Sequence, residues 1–114
     1  NEALDELQIA AKLEPRSSII HNNLGTAYLM LQKLDAAIAN YQLAVQFDDR
    51  NAQAFFNLGV AYYRQGRTDE AANAFRRASE LEPGNQLFKN ALSDVEKKGG
   101  KGKEKDEKGK KKKG

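Results

Sequence analysis

The 114-residue chain has no cysteine, no tryptophan, a single histidine and only two prolines. Without cysteine there is no disulfide framework, no zinc knuckle, no dithiol redox motif and no thiol nucleophile. The longest unbroken apolar run is Ala27–Leu31, far short of the ~20 residues that a membrane-spanning helix needs. The N-terminus lacks the charged start, apolar stretch and small-residue cleavage site of a secretory leader. It opens on Asn1 rather than Met, so the sequence is expected to be part of a longer or processed chain. The compartment stays open: absent cysteine is compatible with the periplasm as well as with the cytoplasm, the latter being favoured.

Net charge is small, 19 − 16 = +3, but it is segregated. Residues 97–114 carry ten Lys against Glu104, Asp106 and Glu107, a balance of 10 − 3 = +7; residues 1–96 balance 9 − 13 = −4. The basic segment reads KKGGKGKEKDEKGKKKKG, without one apolar side chain. Nothing in it can offset the ~1–2 kcal/mol of backbone entropy that ordering each residue costs, so it is expected to be disordered. Two roles are open to it: a solubilising tail, or an electrostatic handle for an acidic partner, nucleic acid or an anionic membrane surface. It has no Arg for base edges and no aromatic for stacking. Any attraction to a polyanion would therefore be salt-sensitive and blind to sequence.

What the body does contain is a repeat of 34 residues. Shifted by that length, residues 18–51 fall on 52–85 with identities at Asn23/Asn57, Leu24/Leu58, Gly25/Gly59, Ala27/Ala61, Tyr28/Tyr62, Asp35/Asp69, Ala37/Ala71, Ala44/Ala78 and Asn51/Asn85. The register runs backwards into the first residues, where Leu13-Glu14-Pro15 matches Leu81-Glu82-Pro83. A period in the thirties is the mark of a solenoid. Each unit reads as two helices. Phe55, Leu58, Ala61 and Tyr62 make one helical face, Gly66 supplies a left-handed stop, and Thr68 is the expected N-cap of a second helix running to about Leu81. Ser17, Asn51 and Asn85 stand where helices should start and are expected to cap them. Six helices result, the last over about residues 86–98. Gly25 and Gly59 sit mid-helix, at ~1 kcal/mol relative to Ala, which points to a close approach. Ala37 and Ala71 are expected to face them, with Tyr28, Tyr62, Tyr41 and Phe75 filling the remaining volume.

Catalysis needs convergent titratable groups, and few are present. His21 is expected to be a packing residue rather than a general base. The serines lie at helix starts or on helix surfaces, and Asp48-Asp49 lacks the spaced ligands and glycine of a calcium loop. No catalytic, cofactor or metal residue is assigned, and the chain is not expected to be an enzyme.

The pattern Phe55, Leu58-Gly59, Ala61-Tyr62, Gly66, Ala71, Phe75, Ala78, Pro83 resembles the tetratricopeptide repeat (TPR) family over residues 1–98. The unit before it departs at His21 for the aromatic, Gln32 for the turn glycine and Asp49 for the proline. These changes are expected to loosen the Gln32 turn and the Asp49 junction without altering the fold. The resemblance implies an all-α superhelix (solenoid) of antiparallel helix pairs. Its divisions would be 1–17, the second helix of a truncated repeat; 18–51 and 52–85, two full repeats; 86–98, a capping helix; and 99–114, the tail. In such a piece Leu4, Leu7 and Ala11 should be partly uncovered.

The resemblance also implies a concave groove lined by the first helix of each unit. Here the lining would be Ile19, Asn22, Asn23, Thr26, Leu29 and Met30, then Gln53, Phe56, Asn57, Val60, Tyr63 and Arg64, with Leu87, Asn90 and Asp94 extending it. Amides, aromatics and aliphatics together suit an extended peptide. Asn23 and Asn57 each offer a donor and an acceptor to a peptide backbone, or else tie neighbouring helices. TPR co-chaperones that hold a chaperone's terminal carboxylate use Lys and Arg beside two asparagines. The matching places hold Gln53, Asn57 or Asn22, so that clamp is not expected. Three functions remain open: a peptide-binding adaptor, part of a longer scaffold without a ligand of its own, and a body presenting the basic tail. The expected partner is another protein or peptide segment, not a small molecule.

Overall fold

A computed structural model describes residues 2–98. Among them there are six helices and no strand: α1 (Glu2–Leu13), α2 (Ser18–Met30), α3 (Leu34–Phe47), α4 (Ala52–Arg64), α5 (Thr68–Leu81) and α6, over residues 86–98. Lys97 and Lys98, counted with the basic segment in the sequence, belong to the last turn of α6. The disordered tail expected over 99–114 lies outside the described residues.

The helices begin where short polar side chains can take up free N–H groups. Ser17 Oγ accepts from the Ile20 N–H at 3.2 Å, Asn51 Oδ1 from Ala54 at 3.0 Å and Asn85 Oδ1 from Phe88 at 3.2 Å. Asn51 also works between units. Its Nδ2 donates to Ser18 Oγ at 2.9 Å, and Ser18 donates onward to the Ala44 carbonyl at 2.7 Å. One amide thus caps α4 and ties it to α2 and α3. The start of α5 differs from expectation. Thr68 is the first helical residue and Arg67 precedes it without a side-chain cap. Arg67 instead pairs with Glu70 across the first turn, and the acidic Asp69 and Glu70 face the positive helix end.

The two turns inside the repeats close alike. Gly66 has φ +81° and Arg67 N–H bonds the Tyr62 carbonyl at 2.9 Å; Gln32 has φ +62° and Lys33 N–H bonds the Tyr28 carbonyl at 2.9 Å. Contrary to expectation, Gln32 does not loosen the turn. It bears the left-handed conformation itself, at ~1–2 kcal/mol for a residue with a Cβ. Gln32→Gly is therefore expected to stabilise the chain by about 0.5–1 kcal/mol after the extra freedom glycine gains when unfolded, read as a rise in the denaturation midpoint. The Asp49 junction is likewise closed. Asn51 N–H bonds the Asp48 carbonyl at 3.2 Å and Arg50 N–H bonds Asp48 Oδ1 at 3.0 Å, so an aspartate-closed turn stands where the next unit has proline.

Packing is pairwise, α2 on α3 and α4 on α5, with α3 against α4 and α1 against α2. The main core joins Ala37, Ile38 and Tyr41 of α3 to Leu58, Ala61 and Tyr62 of α4, Ala71, Ala74 and Phe75 of α5, and Val95 of α6. A second cluster gathers Ala52, Ala78 and Phe88. The mid-helix glycines do admit a close neighbour, but it is a ring and not Ala37 or Ala71. A Cβ on Gly25 would lie 2.6 Å from the Tyr41 ring, and one on Gly59 would lie 2.6 Å from the Phe75 ring. Tyr41, fully buried, bonds Thr26 through its hydroxyl at 2.8 Å.

Burial raises the Tyr41 pKa from its ordinary 10.0, with the Thr26 hydrogen bond and Arg64 partly opposing. A phenol whose folded pKa is raised contributes stability that is complete below the unfolded value and falls as pH climbs above it. Helicity is expected to drop as pH rises past about 10, with phenolate absorbance appearing in the same step. Tyr41→Phe should separate the two.

Candidate functional site

The first helices α2, α4 and α6 stand side by side and present one face. A row of amides crosses it. Gln53 Nε2 donates to Asn57 Oδ1 at 3.1 Å, and Asn57 Nδ2 donates to Asn22 Oδ1 at 2.9 Å. Asn57 therefore ties α4 to α2, while one Nδ2 proton and one Oδ1 lone pair stay available to it. Asn23 is exposed and takes no hydrogen bond among the described residues. On α6, Gln86 Nε2 bonds Asn90 Oδ1 at 2.9 Å.

The other residues read from the sequence divide into two groups. Ile19, Met30, Gln53 and Arg64 are exposed. Leu29, Val60 and Tyr63 are half-buried against the core. Thr26 turns back toward α3, bonding the Asn22 carbonyl and the Tyr41 hydroxyl. Phe56 is taken up by packing: its ring lies 5.4 Å from Phe75 and stacks on Phe88 at 5.0 Å. Its role is to hold α6 on α4 and α5. His21 is buried, 7% exposed, with Nε2 2.7 Å from the Pro15 carbonyl, Nδ1 3.3 Å from Asn40 Oδ1 and its ring 5.6 Å from Phe47. Both ring nitrogens are occupied by structural contacts. Among the described residues no three His, Cys, Asp or Glu side chains gather to hold a metal ion.

Sequence reasoning missed Lys98. Its ammonium sits 5.0 Å over the Tyr63 ring and donates to the Tyr63 hydroxyl, which raises the lysine pKa. Lys98 follows Arg64 by 34 residues and is therefore its repeat equivalent, a signal lost when 97–114 was read as one charge run. Beside it Tyr63, Phe75, Ala91, Asp94, Val95 and Lys98 line an open cleft of about 220 Å³ between α4 and α6. The face thus offers amides at one end, and an apolar cleft with a cation at its mouth at the other.

The TPR repeat profile matches residues 26–66, and the tetratricopeptide repeat profile matches 52–85. The TPR domain of Arabidopsis OM64 has a TM-score of 0.81 to this chain at 31% identity, covering 85% of this chain and 80% of that one. The chain belongs to the tetratricopeptide repeat family. Other solved TPR structures are similar. The first TPR of Spaghetti (RPAP3) bound to the HSP90 peptide SRMEEVD gives a TM-score of 0.81 at 27% identity, covering 84% and 76%. The second TPR domain of human RPAP3 in complex with the HSP70 peptide SGPTIEEVD gives 0.77 at 26%, covering 82% and 78%. No curated protein sequence matches the chain. TPR domains are protein-interaction modules, and this TPR chain is one of them.

Proposed function

We propose that the face of α2, α4 and α6 binds an extended peptide segment of a partner protein. The observation that carries this is the amide row: Gln53, Asn57 and Asn22 linked across two helices, with Asn23 exposed beside them. Side-chain amides held in register can bond a peptide's N–H and C=O groups without reading its side chains. Leu29, Met30, Val60 and the cleft at Tyr63 supply apolar surface for the peptide's own side chains. Relatives with similar structures hold chaperone peptides ending in Glu-Glu-Val-Asp. In this chain the places suited to gripping a terminal carboxylate carry Gln53, Asn57 and Asn22, all neutral. The segment bound here is therefore recognised along its backbone and apolar side chains, not by its C-terminus.

The test is affinity capture from source-cell lysate on the immobilised intact chain, followed by titration of the recovered segment. Asn23→Ala removes a side chain with no bond among the described residues, so its effect on affinity is separate from folding. Together with Asn57→Ala, it removes up to four hydrogen bonds of ~0.5–1.5 kcal/mol each. The expected result is a loss of affinity of tenfold or more, ~1.4 kcal/mol, with helicity retained. Affinity unchanged in the double variant would overturn the proposal.

A further inference from the structure

The face of α2, α4 and α6 is polarised from one edge to the other. The three helices point the same way, so equivalent positions line up along each edge. Ile19, Gln53 and Leu87 stand where the helices start; Met30, Arg64 and Lys98, each eleven residues further on, stand where they end. Eleven residues make just over three turns, so the members of each pair share a face and lie ~16 Å apart.

The first edge is uncharged and apolar, with Ile19 70% and Leu87 59% exposed. The second is cationic. Arg64 is exposed and takes no hydrogen bond or ion pair among the described residues. Lys97 and Lys98 are exposed on the neighbouring helix. Asp94, close to Lys98, is the one acid on this face among the described residues. The cations outnumber it.

The amide row fixes how a peptide can lie between these edges. To bond Asn22, Asn23 and Asn57 through its backbone, an extended segment must turn its N–H and C=O groups toward the face. Its side chains then project sideways, alternately to one edge and to the other. Each residue advances ~3.3 Å and packed helices lie ~8–10 Å apart, so one helix step is about three residues. Three is odd. A side chain that meets Ile19 on α2 is therefore followed, one helix on, by one directed at Arg64. A further step brings one to Leu87.

We infer that the bound segment alternates in character. Aliphatic residues at positions i and i+6 seat on Ile19 and Leu87, and acidic residues at i+3 and i+5, on its other side, face Arg64 and Lys98. This rests on the peptide reading above and adds the class of sequence that the face selects. The acids are internal to the segment and are met at the helix ends, away from the amide row.

The test uses the intact ¹⁵N-labelled chain and two peptides of one composition, blocked at both ends so that neither carries a terminal charge. Leu-Ser-Thr-Glu-Thr-Glu-Leu puts its acids on the side opposite the leucines; Leu-Ser-Glu-Thr-Glu-Thr-Leu puts them on the same side. The first is expected to saturate with amide shifts on α2, α4 and α6. It should bind about three- to tenfold more tightly than the second, the gap closing with added salt. Arg64→Gln with Lys98→Gln, both at exposed sites, should remove that gap, whereas Leu87→Ser should weaken both peptides and keep it. Equal binding of the two peptides on the same three helices overturns the inference and leaves the groove reading standing. A gap that survives the two charge substitutions overturns it as well. If neither peptide saturates up to roughly 1 mM, or the shifts centre elsewhere, the inference falls, and the lysate capture above decides the groove reading on its own.

Discussion

Replacing Phe88 by Ala is expected to detach α6 from an otherwise folded chain. Phe88 is 1% exposed, packs with Ala52 and Ala78, and stacks on Phe56. Truncating a buried phenylalanine costs ~3–5 kcal/mol. In a solenoid each element is stabilised only by its neighbours. Besides Phe88, α6 buries only Val95, with Ala91 and Leu92 in partial contact. A loss of that size exceeds what one terminal helix retains, so the break should be local rather than global. Hydrogen exchange is the appropriate measurement. Amide protection over residues 86–98 should fall toward the unstructured level while α3, α4 and α5 keep most of theirs. Undocking also removes Lys98 from Tyr63 and opens the cleft, so partner binding should weaken although no amide of the row has changed. A uniform loss of protection would mean instead that the chain unfolds as one unit.

Gly59→Ala is expected to destabilise the chain by ~1–2 kcal/mol, although helix propensity alone favours it by ~1 kcal/mol. The new Cβ would lie 2.6 Å from Phe75 Cε1 and 2.7 Å from Cδ1. The ring has little room to yield, since Phe75 is 3% exposed and meets Phe56 on its other contact. Overpacking of this kind costs ~1–3 kcal/mol, and the closeness of the contact puts the cost at the upper end, so it outweighs the propensity gain. For a domain of this size the thermal midpoint should fall by about 4–8 °C per kcal/mol. Gly84→Ala, where nothing lies within 4 Å of the added carbon, is the control and should move the midpoint little. A double variant with Phe75→Leu should recover part of the Gly59→Ala loss beyond the sum of the single effects, the signature of two groups in contact.

Much of the fold was legible because the signals were local or periodic. Ser17, Asn51 and Asn85 cap helices through bonds to residues three positions on, a spacing written in the chain itself. Gly66 turns left-handed as read. Thr68 was misread because a threonine and the residue before it compete for the same place, and the Arg67–Glu70 pair settles the start without a hydroxyl cap. Gln32 was expected to loosen its turn; backbone hydrogen bonds at both ends of the turn hold it, and the residue takes the strain. On the candidate face, helical period gave the side of α4 from which Phe56 projects. It could not reveal that Phe88, at the repeat position of Ala54, would place a ring against it.

By itself the sequence determined a 34-residue register, six helices, their polar caps, a neutral amide-rich face and two points where a helix must admit a close neighbour. These follow from interactions within one turn of helix or from exact repetition, so no distance between helices enters. Only the tertiary structure decided which group fills the space at each glycine, that Asn57 spends one donor on Asn22, and that Lys98 rests on Tyr63. Each of those depends on how far apart two helices lie and which rotamers meet between them. Those quantities emerge only when all the packed side chains are placed together.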